Sequence, residues 1–228
     1  MIDNREEILV VGDVHGVLTP LRKVLAYAFA TKITTVFLGD YVNRGPNSRA
    51  VIETLIHAKK TLGNHLILLR GNHEVALLDF LATGDMGQLI KMGGLSTVKS
   101  YLGDATDRPF KRFKDEFPID HKRMLESTEI YFETPNYLIS HTGLNPNNPK
   151  DRSLESMVLG SFRTLFSPHA NFSKKLVVAG HYVQRDGEPF MSDRFICLDT
   201  GCGSRPGAPL TAMLLPSRRT MKYGGSQI

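Results

Sequence analysis

The 228-residue chain contains no tryptophan and only two cysteines. Cys197 and Cys202 are too few for a disulfide framework and define no thiolate metal site, so they read as structural thiols in a strand and turn. No apolar run is long enough to span a bilayer. The first residues, Met-Ile-Asp-Asn-Arg-Glu-Glu, are charged where a secretory signal would be apolar, so the expectation is a cytoplasmic protein with no membrane partner. Internal repeats and low-complexity tracts are absent. Acidic charge is also in deficit, leaving a net +5. The basic clusters are nevertheless short (Lys111-Arg112 with Lys114, His121-Lys122-Arg123, Lys174-Lys175, Arg218-Arg219) and carry no interleaved aromatics. They argue against a dedicated nucleic-acid surface and suit acidic, phosphorylated partners. No feature specifies an oligomeric state.

What is present is a set of five short motifs, each placed where an apolar run stops. GDVHG (12–16) follows Ile8 to Val11, GDYVNRG (39–45) follows Thr35 to Leu38, and GNHE (71–74) follows Leu66 to Leu69 and Arg70. HTG (141–143) follows Tyr137 to Ser140, and GH (180–181) follows Leu176 to Ala179. Apolar runs of four or five residues bounded by glycine read as buried strands, although periodicity alone does not separate them from short buried helices. The motifs then sit at strand C-termini, the edge where open α/β sheets build their sites.

Between motifs, Thr19-Pro20 reads as a helix cap and first turn for a helix carrying Leu21, Val24, Leu25 and Ala28, and residues 48–62 read as a second helix. The stretch from Glu74 to about Leu102 is helical in pattern with glycine breaks, and a helical lobe is expected at about 80–130. Closely spaced strands after about 130 make the fold class α/β. At 41% hydrophobic, the chain can form a single domain over 1–228 with a poorly ordered tail after Pro216.

The motifs supply Asp13, His15, Asp40, Asn72, His141 and His181. Oxygen and imidazole donors of this kind suit two divalent transition metals held close together. Taken singly, Asp13 and Asn72 read equally well as helix caps, and His141 or His181 as ordinary polar residues. Five motifs in this order, each at a strand end, point to a metal centre instead. Arg44 and Arg163 are candidate phosphate clamps, because a guanidinium fork can pair two phosphoryl oxygens. His57, His65, His121 and His169 belong to no motif.

The motifs resemble those of the phosphoprotein phosphatase branch of the calcineurin-like metallophosphoesterases, the serine/threonine protein phosphatases, and most of all its compact bacterial and phage members. The resemblance runs from about residue 8 to about 215 and includes GGLSTVKSY (93–101), Ser161-Phe162-Arg163 and LDTGC (198–202). It implies a four-layer fold, a mixed two-sheet β-sandwich flanked by helices. It implies that Asp13, His15 and Asp40 hold one metal, with Asp40 bridging to a second held by Asn72, His141 and His181. Manganese is the expected metal, with iron or zinc also compatible, and a bridging hydroxide would attack phosphorus directly. His73 would give a proton to the leaving oxygen.

One position departs from this pattern. The phosphatases have GDxVDRG, with an aspartate supporting the protonated His73, whereas this chain has Asn43. An amide provides no charge to stabilise an imidazolium and can hold the other tautomer. The leading expectation is a phosphoserine/phosphothreonine protein phosphatase. The alternative is a hydrolase of dinucleoside polyphosphates or other small phosphorylated metabolites, since the symmetrical diadenosine tetraphosphate hydrolases of this branch also lack the aspartate and share LDTGC. A third reading is a weakly active module that binds phosphorylated partners.

Overall fold

A computed structural model describes residues 7–103, 107–167 and 172–224. The first three apolar runs form β1 (Ile8–Val11), β2 (Thr34–Phe37) and β3 (Leu66–Leu68), paired in parallel. Two later strands extend this sheet beyond β1, namely β9 (Leu210–Leu215) and β10 (Arg219–Tyr223), in the order β10-β9-β1-β2-β3. The second sheet contains β4 (Tyr131–Glu133), β5 (Tyr137–Ser140), β6 (Leu176–Ala179), β7 (Phe190–Met191) and β8 (Phe195–Cys197), ordered β4-β5-β6-β8-β7. Its three central strands are parallel and its two edge strands antiparallel.

Side chains alternate across each strand, which explains why these runs are apolar throughout. Ile8 and Val10 of β1 face the second sheet and pack with Ile139, Val178 and Ile196, whereas Leu9 and Val11 face the helices. Leu138, Val177 and Phe195 face outward from the second sheet onto Met157, Val158 and Leu165. Each buried aliphatic side chain stabilises by roughly 1.5–3 kcal/mol relative to exposure. The core between the sheets therefore holds the C-terminal ends of both in register.

The helices are α1 (Leu18–Thr31), α2 (Ser48–Leu62), α3 (Asn72–Thr83), α4 (Gly87–Lys91), α5 (Leu95–Leu102), α6 (Pro109–Glu116), α7 (Ile119–Glu126) and α8 (Leu154–Met157). Among the described residues, none is long and apolar enough to cross a membrane. In the 80–130 region, Phe80, Tyr101, Phe113 and Phe117 form ring contacts with centroids 5.0–6.0 Å apart. His121, which belonged to no motif, stands against the Tyr101 hydroxyl at 2.8 Å.

Two expectations are corrected. Thr19 does not cap α1: the helix begins at Leu18 directly from the GDVHG turn, with extended Val17 before it and no side-chain cap. Residues 217–224 are not a loose tail, because β10 pairs along β9 and packs Met221 and Tyr223 on the helical side of the sheet. Residues 225–228 and His169 lie outside the described residues. Cys197 and Cys202 are free, buried thiols, and burial pushes both above the usual thiol range.

Candidate metal centre

All six proposed ligands lie just beyond strand C-termini: Asp13 after β1, Asp40 after β2, Asn72 after β3, His141 after β5 and His181 after β6. His15 completes the set from the turn after Asp13. The chain turns sharply to present them, and His15, Asp40 and His181 have positive φ values of 44°, 52° and 66°. Left-handed backbone at non-glycine residues costs of order 1–3 kcal/mol each and persists only where the surroundings fix it.

Glu74 supplies much of that fixation. Its fully buried carboxylate accepts hydrogen bonds from the backbone amides of Asp40 (2.8 Å), Tyr41 (2.8 Å), Val42 (3.3 Å) and Gly71 (2.9 Å). One side chain thereby ties the second motif to the third. Burial, with Asp40, raises its carboxyl and the backbone amides oppose the rise; four N–H donors facing its two oxygens select the ionised form. The first and second motifs are joined as well, since the amides of Val14 and His15 both donate to the Asp40 carbonyl, at 3.1 and 2.7 Å. Glycine is required at 71 and 180, where a Cβ would overlap the carboxylates of Asp40 and Asp13 respectively.

The two oxygens of Asp40 face different partners. Oδ2 lies 3.5 Å from His15 Nε2 and 3.7 Å from His73 Nε2, while Oδ1 lies 3.5 Å from His141 Nε2. Asp13 Oδ2 is 4.0 Å from His15 Nε2 and accepts from the His181 amide at 3.0 Å. Asn72 Oδ1 stands 2.9 Å from His141 Nε2 and 3.2 Å from His181 Nδ1.

The hydrogen positions that these neighbours impose show what the cluster lacks. His15 Nδ1 meets the Val42 carbonyl at 3.1 Å and His141 Nδ1 meets the Leu38 carbonyl at 2.9 Å. A carbonyl only accepts, so each ring carries its hydrogen on Nδ1 and turns a lone pair inward from Nε2. Imidazole lone pairs thus converge with carboxylate and amide oxygens, a gathering of acceptors that a cation satisfies. Burial holds the rings of His15 and His181 down to about 3, which keeps them neutral as ligands require. Burial, with Asp199 and Asp40, pushes Asp13 well up, whereas the four surrounding histidines, led by His141, hold Asp40 well below the usual range despite its burial. Asp199, raised to about 6 chiefly by burial, leaves its Oδ2 buried without a hydrogen-bond partner. The donor set fits divalent transition metals.

His73 projects from the start of α3 beside this cluster, its ring 4.6 Å from that of His15. Its Nδ1 meets Asn43 Nδ2 at 2.9 Å. Asn43 is fully buried, and its Oδ1 accepts from the Thr97 hydroxyl at 2.8 Å. Its backbone amide reaches Thr97 Oγ1 at 2.9 Å and Ser48 Oγ at 3.2 Å. In this arrangement Nδ1 accepts, the ring hydrogen lies on Nε2, and no carboxylate stands behind the ring. Burial also lowers the His73 pKa, and Arg44 lowers it further while Asp40 opposes.

Arg44 reaches over the cluster from an exposed position. Nη1 is 3.0 Å from His15 Nε2 and donates to Ser204 Oγ, and Nη2 is 3.3 Å from His73 Nε2. Arg44 and the His73 Nε2–H are donors facing one space, which an anionic oxygen would fill. Arg163 is not drawn into this group: it is exposed in the 3-10 turn Arg163–Phe166, with its guanidinium over the Tyr182 ring 5.4 Å from the centroid. Glu74, Thr97, Ser48 and Ser204 were missed as site residues from sequence. Glu74 carried a signal as the last residue of GNHE, and Thr97 a weaker one within GGLSTVKSY; Ser48 and Ser204 carried none.

The sequence model of the calcineurin-like phosphoesterases matches residues 7–218. Several solved structures share the fold. One assigned provisionally as a diadenosine tetraphosphatase has a TM-score of 0.68 at 21% identity, over 99% of this chain and 96% of that one. A Saccharomyces cerevisiae serine/threonine phosphatase with similarity to human phosphatase PP5 has a TM-score of 0.60 at 18% identity, over 99% and 81%. The cold-active protein-tyrosine phosphatase of a psychrophilic Shewanella species has a TM-score of 0.56 at 15% identity, over 97% and 80%.

Proposed function

Because the chain belongs to the calcineurin-like phosphoesterases and is a metal-dependent phosphohydrolase, we propose that it cleaves phosphate from weakly basic leaving groups, above all phosphoanhydrides of the dinucleoside polyphosphate kind. The observation that carries this reading is Asn43, buried against His73 Nδ1 at 2.9 Å where a carboxylate would support an imidazolium.

Asp13, His15 and Asp40 would hold one metal and Asn72, His141 and His181 a second, with Asp40 shared between them. The division of its two oxygens between His15 and His141 supports that assignment. Two divalent ions, manganese by preference and iron or zinc by donor chemistry, would supply an activated water and neutralise phosphoryl charge. Arg44 pairs phosphoryl oxygens and gains strength as their charge grows. His73 presents Nε2–H to the leaving oxygen. Full proton donation is worth roughly 10²–10⁴ in rate for a basic alkoxide, but a nucleoside phosphate departs without it. A neutral His73 donating a hydrogen bond is sufficient for that class.

Turnover of diadenosine tetraphosphate, p-nitrophenyl phosphate and a phosphoserine peptide with manganese tests the order. The dinucleotide should lead and phosphoserine trail; faster cleavage of phosphoserine overturns this reading. A phosphoserine/phosphothreonine phosphatase is the second reading. It is favoured by exposed Met86, Ile90 and Leu95 on the lobe, near Gly93, whose carbonyl accepts from the Arg44 amide at 3.3 Å. Tight phosphopeptide binding without turnover of any ester would instead mark a binding module.

A further inference from the structure

A cleft of about 570 Å³ opens beyond Arg44, walled by residues 17–19, 44–47 and 203–208. That volume is in the range of pockets that hold small molecules. The cleft contains none of the six proposed ligands, yet it adjoins their site at Arg44, whose Nη1 contacts both His15 and Ser204 of the cleft wall while Nη2 contacts His73.

The lining combines two properties. Among the described residues, no aspartate or glutamate lines it, while Arg44 and Arg205 both do. Neither guanidinium forms an ion pair among the described residues. Arg205 instead donates to the carbonyls of Gln184 (3.1 Å) and Thr200 (3.0 Å) and to that of Arg185, so its charge is fixed in place without being neutralised. The rest is largely apolar, with Val17, Leu18, Pro46, Pro206 and Ala208. The loop at 203–208 is set firmly, because Gly203, at φ 67°, packs against the His15 backbone where a Cβ would collide with the His15 carbonyl.

A positive entrance leading to apolar walls matches an anionic chain joined to a flat apolar body. We infer that this cleft holds the leaving half of the substrate as a nucleoside phosphate, its phosphates beside Arg44 and Ser204 and its heterocycle on the apolar lining. The inference rests on the phosphohydrolase reading and deepens it by giving the leaving half of the substrate a place in the fold.

The test uses two variants of the full chain: Ala208→Phe, which fills the cleft, and Pro206→Asp, which puts a carboxylate at an exposed position on its rim. Adenosine 5′-diphosphate and inorganic phosphate are titrated calorimetrically, with and without manganese, and kcat/KM is compared for diadenosine tetraphosphate and p-nitrophenyl phosphate. Each variant should weaken adenosine diphosphate roughly tenfold relative to phosphate, and lower the dinucleotide-to-aryl kcat/KM ratio by about as much. Unchanged binding and ratio, or equal losses for both ligands, overturns the cleft. Should Ala208→Phe fail to fold, Pro206→Asp decides alone. A wild type that hydrolyses p-nitrophenyl phosphate but does not bind adenosine diphosphate sinks the cleft and spares the hydrolase. A wild type inert towards both substrates, whose adenosine diphosphate binding is lost in Pro206→Asp, does the reverse.

Discussion

The two sheets contribute to one cluster by different means. Loops after β1, β2 and β3 are tied to one another within their own sheet, through the Asp40 carbonyl, the Glu74 carboxylate and the bond from the His73 amide to Asp40 Oδ1 (3.1 Å). His141 and His181, after β5 and β6, are tied chiefly across the sandwich. His141 Nδ1 reaches the Leu38 carbonyl at 2.9 Å, and the His181 amide reaches Asp13 at 3.0 Å. The Asp13, His15 and Asp40 side is a local construction, and the His141 and His181 side is a product of sheet packing. On the proposed two-metal assignment, binding a first cation at the Asp13–His15–Asp40 side would require less of the global fold than completing the pair.

Four substitutions break or sharpen that contrast. Asp40→Asn removes the group that the two proposed half-sites share. It should cost more than the roughly 10–100-fold that partners outside the ligand set typically cost, with metal content by elemental analysis falling alongside rate. Unchanged occupancy and turnover would show that Asp40 bridges nothing. Glu74→Gln strikes the local half alone: an amide NH₂ replaces one acceptor facing four backbone donors, at an expected cost of about 1–3 kcal/mol in denaturant unfolding. A Glu74→Gln protein as stable as wild type would refute its tying role.

Asn43→Asp supplies the missing negative charge behind His73. Turnover of alkyl phosphates should rise severalfold and that of aryl phosphates less, because only the alkoxide needs the proton. Equal changes in both classes would remove the account of leaving-group preference.

The smallest effect lies in the second sheet, away from the cluster. Glu133 on β4 bonds Arg152 Nη2 (3.0 Å) and Lys175 Nζ (2.8 Å), and the Arg152 bond, followed by Lys175, holds its carboxyl below the ordinary value of 4.5 against some desolvation. The folded protein thus takes up this proton less readily than the unfolded chain. The stabilisation is complete above about pH 4.5 and is lost as pH falls through the lower folded value. For so exposed a group it amounts to less than about 1 kcal/mol. The melting-temperature gap between wild type and Glu133→Gln should close on acidification; a gap independent of pH would assign the difference to packing.

Much of this architecture is legible in the chain because its strands are buried on both faces. Ile8 to Val11 and Leu176 to Ala179 read as unbroken apolar runs, and the glycine-flanked polar residues after them mark the edge where sites form. Misreadings arose where local preference was overruled. Thr19 is a good cap by type, but the GDVHG turn leads straight into α1 one residue before it. The segment after Pro216 has weak propensity of its own and becomes a strand because β9 offers it an edge and the helices offer Met221 and Tyr223 a surface.

Residue type and order by themselves picked out the groups proposed to bind metal and determined that Asn43 departs from the pattern, since these follow from side-chain chemistry and motif spacing. Only the tertiary structure decided that Nε2 of His15 and His141 both point inward, that Thr97 from a distant helix holds Asn43, and that Arg44 borders a cleft free of acids. Those facts depend on contacts between segments far apart in the chain, such as 43 with 97, 44 with 204 and 13 with 181, and no local spacing specifies which distant partner meets which.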